Sequence, residues 1–518
     1  MIVLNRIWLK PLIVLLAVGL HGDLAAAHGF GQRYDLPVPL SIWVIGAGLT
    51  ILLTFILASV FTRSHSGLQP FPRVNLYRWR IIRISSHPSI LLLIRLLSVS
   101  ILVTILVSGF FGSSNPYQNI SPVLVWVIWW VGIVFICALV GDLWALINPF
   151  LMLFVWIQRF TIKAFQVHRF GLNIPYPESF SMWPAVLGLI GFFWAELLWG
   201  GGSEPFSLAI IVTLYGICTL LGMYIFSPNT WLQHADPFTL VFSIFSRFSP
   251  LEIRVKRNHR SSNCNLQICR FSIEDCVNGP MCITHAHPKQ IELNLRIPAV
   301  GLLEVERVPL SMMVFVLILL SSVTFDGFLE TPFWFGILDR TLDGEIIAVG
   351  HIAFILFPTI FCLAYLSVCW LMLRAAILAA GGLDKLAIKH PSDIACSFVL
   401  TLVPIAIAYH LAHYLSFLLI TGQYVVPLIS DPLGLGWNLF NTADYNVNIG
   451  VLDAKTAWYI AVATVVFGHV FSVYIAHIAA KRIFHDKRVV FWGQIPMIIL
   501  MVIYTMLSLW ILAQPMVG

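Results

Sequence analysis

Apolar residues in this chain neither alternate with polar ones, as in a half-buried strand, nor keep to one stripe, as in a surface helix. They run in unbroken blocks of about twenty. A helix rises 1.5 Å per residue, so ~20 apolar residues match the ~30 Å hydrocarbon core of a bilayer. Ten such blocks stand out, at 40–61, 89–111, 122–141, 181–200, 205–227, 309–328, 346–373, 394–421, 456–480 and 490–513. In lipid a single segment satisfies its backbone only as a helix. The predicted fold class is therefore all-α: a polytopic membrane helix bundle of about ten transmembrane helices, with the lipid bilayer as its first partner.

A shorter block precedes these. Arg6 and Lys10 lead into the apolar run 11–20, followed by an A-x-A site at Ala25 and Ala27. Ten apolar residues are too few to span, so 1–27 reads as a cleavable signal peptide, with an uncleaved anchor helix as the alternative. Cleavage would leave His28 first. The remaining chain divides into helices 1–5 with interfacial helices (28–250), a Cys- and His-containing loop (251–307), and helices 6–10 with outer lid loops (308–518). The interfacial helices are NPFLMLFVWI from Asn148 and DPFTLVFSIF from Asp236. Both begin with a capping residue before Pro, 88 residues apart, which hints at a duplicated unit.

Composition agrees with the pattern. Hydrophobic residues make up 59% of the 518, charged residues 10%, and mean hydropathy is +0.89. Soluble domains carry about 25% charge, so a soluble multidomain chain is excluded, as are disordered, collagen-like and disulfide-scaffold chains. The net charge of +6 does not indicate nucleic acid. With a cleaved signal and ten spans, 24 of the 30 basic residues fall in inside loops, as the positive-inside rule requires. The outside loops are acidic: Glu330, Asp339, Asp343, Glu345, Asp431, Asp444 and Asp453.

Ionisable residues inside a membrane are expensive and mark function by default. The predicted topology places Glu196, Asp326, His351, His410 and His413 in the outer half of the bilayer, with His469 near mid-depth and His477 deeper. His410 and His413 are three apart and share a helix face. Histidine with carboxylate suits Zn, Fe, Mn or Cu. The expected site has His351, His410 and His413 as ligands of a divalent transition metal and Asp326 as a further ligand or general base. Glu196 and His469 stand behind it as supporting or proton-path residues. The bland alternative is that each His hydrogen-bonds a neighbouring helix. His28, with its free α-amine, is a candidate copper chelator on the same face, and a bis-His haem is a further option. On the inside, Cys264, Cys269, Cys276 and Cys282 precede His285 and His287. Their spacing is looser than paired C-x2-C, so a structural zinc or iron–sulfur site competes with unpaired thiols.

The segment 422–455 and the stretch FDGFLETPFWFGILDRTLDGE are expected to form a lid over the outer cluster. Trp334, Phe335, Trp437 and Phe440 would line an apolar vestibule or simply seal the bundle.

The stretches HGFGQRYDLPVPL, TFDGF, PIAIAYHLAHYLSFLLITGQYVVPLISDPLGLGW, NTADYNVNIG and WYIAVATVVFGHVFSVYIAHIAA together resemble a bacterial membrane-protein family known as fenitrothion hydrolase. The resemblance covers most of the chain and is densest over 394–480. It implies hydrolysis of an organophosphorus triester by a protein of the bacterial inner membrane. It brings no residue roles, and it leaves the Cys-rich loop unaccounted for. The residues allow a metal-activated water attacking phosphorus beneath an apolar lid. On this reading both mature termini lie on the periplasmic side and the substrate is small and apolar. Nucleic acid is not a partner, and there is room for a partner membrane subunit. Two rival classes stay open: a proton- or metal-coupled transporter, and a copper or haem redox protein using His28.

Overall fold

The computed structural model describes residues 39–61, 71–80, 82, 87–167, 169–256, 275–277, 291–305, 307–342, 345–484 and 486–517. The expected signal peptide 1–27, His28, Cys264, Cys269, Cys282, His285 and His287 lie outside the described residues.

The chain opens with α1 (Leu40–Phe61) and the short strand β1 (Arg73–Asn75). Next come α2 (Pro88–Phe111), α3 (Ile120–Leu139) and α4 (Pro149–Phe165). Then follow α5 (Trp183–Leu197), α6 (Pro205–Phe226), α7 (Pro228–His234) and α8 (Pro237–Ser246). Three strands come next: β2 (Leu251–Lys256), β3 (Asp275–Val277) and β4 (Ile291–Arg296). The second half holds α9 (Leu310–Leu329), α10 (Pro332–Leu338), α11 (Ile346–Ala380), α12 (Pro391–Ser430), α13 (Ala454–Ile483) and α14 (Lys487–Val517). The chain is an all-α polytopic bundle, and among the described residues there is one small antiparallel sheet, ordered β1-β4-β2-β3. The segment read as a loop at 251–307 thus supplies three of its strands. Only the backbone of Cys276 is described, opposite Val255.

The sheet marks one face of the bundle. Leu251 N–H donates to Val140 O, 3.1 Å away, so α3 ends at the sheet face. Ser181 and Ser311 hydroxyls meet at 2.8 Å, so α5 and α9 both start there. Ser113 N–H reaches Leu433 O at 2.7 Å, which puts the end of α2 and the 431–453 loop together on the far face. Phe55 stacks on Phe491 while Gly48 lies against Val502 and Met506, so α1 and α14 are antiparallel. The described start of the chain and its end therefore share the far face.

Eleven helices among the described residues are long and apolar enough to cross a membrane. Ten alternate between the two faces, as the sequence predicts. The eleventh, Trp144–Phe165, leaves the sheet face at Val140 and rejoins it before Ser181. An even number of crossings separates those points, so it does not traverse. It starts at mid-depth, where Ser98 of α2 donates to Ile147 O and Phe150 lies 2.7 Å from a Cβ built on Gly216 of α6. The second capped segment does the same. α7 climbs back from the sheet face, Asp236 meets Tyr215 OH at 2.7 Å, and Pro237 lies 3.0 Å from a Cβ on Gly188, midway along α5. Both capped helices, read from sequence as lying at the interface, instead descend from the bundle centre.

Their caps explain why such ends can be buried. Asn148 Oδ1 accepts from Phe150 N and Leu151 N; Asp236 Oδ2 accepts from Thr239 N. Pro at the first helical position removes a donor that would otherwise need a partner. The packing is reciprocal. α4 lies on α2 and α6, whereas α8 lies on α5 and α3. Two span–span–half-helix units thus pack reciprocally, and Phe150 and Phe238 both pack on Tyr215.

Candidate functional site

The outer cluster is built where α9 and α12, the two most buried long helices, run side by side. Asp326 sits three residues from the end of α9 and is 7% exposed. His413 Nε2 lies 2.9 Å from Asp326 Oδ2, and Tyr414 OH donates to the same oxygen at 2.6 Å. One carboxylate oxygen is therefore shared by an imidazole and a phenol from a single helix. Gly327 lets them approach: a Cβ there would come within 2.9 Å of Tyr409 OH and 3.8 Å of His413 Cε1. Tyr409 stacks on His413 at 6.3 Å and 20°.

Two further carboxyls stand within electrostatic range of Asp326: Glu196 on α5, and Glu330 one turn beyond Asp326. Glu330 Oε1, Tyr409 OH and His410 Nε2 are buried without a hydrogen-bond partner, whereas Glu196 is within reach of the Trp130 indole N–H. An unmet buried polar atom costs about 1–3 kcal/mol. Three such atoms gather around the Asp326–His413 pair.

The expected residues separate as follows. Asp326 and His413 meet directly, and Glu196 stands near them. His410, one turn before Tyr414, stays within electrostatic range of Asp326 and His413 but makes no hydrogen bond to either, and its ring sits in an aromatic cage: Tyr414 at 4.7 Å, Trp130 at 5.8 Å, and Phe135 and Phe245 each at 6.2 Å. His351 joins neither. Its Nδ1 is 2.7 Å from Ile347 O, and its ring faces Trp194 at 6.3 Å. His469 holds Val465 O at 2.8 Å through Nδ1 and lies 6.0 Å from the Tyr504 ring. Among the described residues, no three His, Cys, Asp or Glu side chains converge to hold a metal ion.

Asp142, at the sheet end of α3, is remote from this group. Burial pushes its carboxyl up to about 6, against the Ala145 N–H that favours its charge.

The 431–453 loop is tied down by its own polar groups. Asp431 accepts from Leu435 N and Gly436 N, while Ser430 and Thr442 hydroxyls meet at 2.6 Å. It leans on the α2–α3 turn through Pro432 and Leu433. Trp437 and Phe440 are exposed, as is Phe335, whereas Trp334 is buried against Phe328.

The sequence reading missed Tyr414, Tyr409 and Glu330. Tyr414 is adjacent to His413, Tyr409 one turn before it, and Glu330 one turn after Asp326, so helical spacing carried the signal. No family model, curated protein or solved structure matches the chain.

Proposed function

We propose that the Asp326–His413 pair is the acid–base centre of a membrane-embedded hydrolase acting on lipophilic esters, organophosphorus triesters being the class the sequence resemblance suggests. One observation carries this reading: a histidine held by a carboxylate that is itself held by a phenol. If Nε2–H is given to Asp326, Nδ1 is the basic nitrogen, and Asp326 stabilises the imidazolium that forms when a water is deprotonated. The hydroxide forms a new P–O bond, the bond between phosphorus and the aryloxy oxygen breaks, and the proton passes from His413 to the departing phenolate. Tyr414 positions Asp326 through its hydrogen bond.

We further place the far face outside the bacterial inner membrane, since the basic residues of the loops gather at the sheet face.

The test follows release of the phenol from an aryl phosphorothioate triester by purified protein in nanodiscs, with metal content measured on the same sample. His413→Gln and Asp326→Asn are expected to lower kcat by about 10²–10⁴, the usual range for a lost general base. Tyr414→Phe should lose roughly tenfold, as for one hydrogen bond to a charged group. Turnover by both single variants at the parent rate would overturn the assignment.

A further inference from the structure

Beneath the outer pair, buried polar groups continue toward the opposite face. Tyr409, stacked on His413, has a buried hydroxyl without a partner and lies within electrostatic range of Tyr504 on α14. Tyr504 OH meets Thr324 Oγ1 at 2.6 Å, two residues before Asp326 on α9. The Tyr504 ring lies 6.0 Å from His469, whose Nε2 is buried and unpartnered. Two turns further along α13, about 12 Å at 1.5 Å per residue, His477 Nδ1 is 3.3 Å from Gln494 Nε2. Gln494 Oε1 is again buried without a partner. One more turn brings Lys481, at the sheet face.

Apolar side chains would fill these positions at less cost, because unmet polar atoms inside a bundle are penalised and membrane helices associate mainly through close packing. The polar groups are also not scattered. They lie along the seam of α9, α12, α13 and α14, and each can both give and receive a proton, except Gln494, which can only orient His477. Between His469 and His477 the same face of α13 carries Ser472 and Ala476, both fully buried and small.

We propose that this seam is a proton-conducting file joining the Asp326–His413 pair to the sheet face, with His469 and His477 as its obligatory relays. Each group takes a proton on one side as it releases one on the other, so no net charge is left in the file and no oxidant or reductant is needed. The inference does not rest on the hydrolytic reading, because conduction is measured with no substrate present.

The experiment uses the full chain in liposomes enclosing a pH-sensitive dye, with a potassium gradient and valinomycin imposing a membrane potential. Protein-containing vesicles are expected to acidify at least tenfold faster than empty ones. His469→Phe and His477→Leu should each return the rate to that of empty vesicles, and His351→Ala should leave it unchanged. Should the apolar variants fail to fold, His469→Gln and His477→Gln keep the hydrogen bonding but cannot be protonated; both are expected to lose conduction while eluting as the parent does. A parent rate equal to empty vesicles, or conduction retained in His469→Gln, would overturn the proposal.

Discussion

At the scale of single residues, Glu252 shows how surrounding partners offset the burial of a charge. Glu252 on β2 is fully buried between Arg296 at 2.6 Å and Arg73 at 2.6 Å, with Arg254 at 3.3 Å. Arg296 also donates to the carbonyls of Ser246 and Arg247 at 3.1 Å, closing the C-terminal end of α8 with a cation. Burial alone would raise the Glu252 carboxyl. Arg296, Arg254 and Arg73 together outweigh it and hold it below the ordinary carboxylate range. A depressed carboxyl stabilises the fold above its unfolded value, ~4.3, and that stability is lost as pH falls through the folded value. Thermal midpoints in detergent should therefore fall steeply below about pH 4. Glu252→Gln should flatten that dependence while costing about 3–5 kcal/mol at neutral pH, because Arg296 is left buried and uncompensated. Gly301→Ala attacks the same point. Its Cβ would come 2.6 Å from Arg247 O and from the Arg296 guanidinium. A loss of about 1–3 kcal/mol is expected from overpacking, read as a lower thermal midpoint.

At the scale of elements, the two half-helices depend on their caps more than a surface helix would. Water solvates a frayed end at a surface; at mid-depth only side chains can. Asp236 accepts from Thr239 and from Tyr215 OH, whereas Asn148 accepts from two backbone N–H groups alone. Asp236→Ala is expected to cost more than Asn148→Ala, with both above the ~1 kcal/mol of an ordinary cap. Tryptophan-fluorescence melts will rank them, and Asp236→Asn should fall between. α3 is unusual in another way. Val123–Gly132 is wound as a π-helix, with Ile133 N–H bonded to Ile128 O. The wider turn keeps Trp126 and Trp130 on one side, where both meet Phe192. Such windings often accompany functional sites, and this one supplies the Trp130 face of the His410 cage.

At the scale of the molecule, the contacts at helix ends decide the topology. Ten crossings and two descending half-helices put Asn173 and Lys389 on the sheet face and Asn441 on the far face. A cysteine introduced at each exposed position, in a chain whose own nine cysteines are replaced, should be labelled by an impermeant maleimide from opposite sides. Asn173→Cys must behave like Lys389→Cys. If it labels with Asn441→Cys, then α4 crosses and the ten-span topology fails. α12 and α13 cross so closely that a Cβ on Gly468 would sit 2.3 Å from Ala408 Cβ. Gly468→Leu should therefore separate the two helices that carry His413 and His469, and should lower thermal stability and site function together.

The sequence by itself determined the fold class, an all-α polytopic bundle, and which runs are long and apolar enough to cross a membrane. Both depend on a local quantity, the length of an apolar run. It also singled out Asp326, His413, Glu196 and His469, because an ionisable residue in an apolar run stands out whatever its neighbours are. Only the tertiary structure decided which of them meet. His351 and His413 share an expected depth, but His351 meets Ile347 O and Trp194 while His413 meets Asp326, and His410 sits in an aromatic cage within one helix turn. Depth is set by position along a helix, and is legible in sequence. Azimuth is set by helix packing, which in lipid rests on close contacts such as Gly468 on Ala408 and Gly216 on Phe150. The half-helices at Asn148 and Asp236 show the same divide: their caps are local and readable, but that the capped ends reach the bundle centre depends on α2, α5 and α6 leaving room for them.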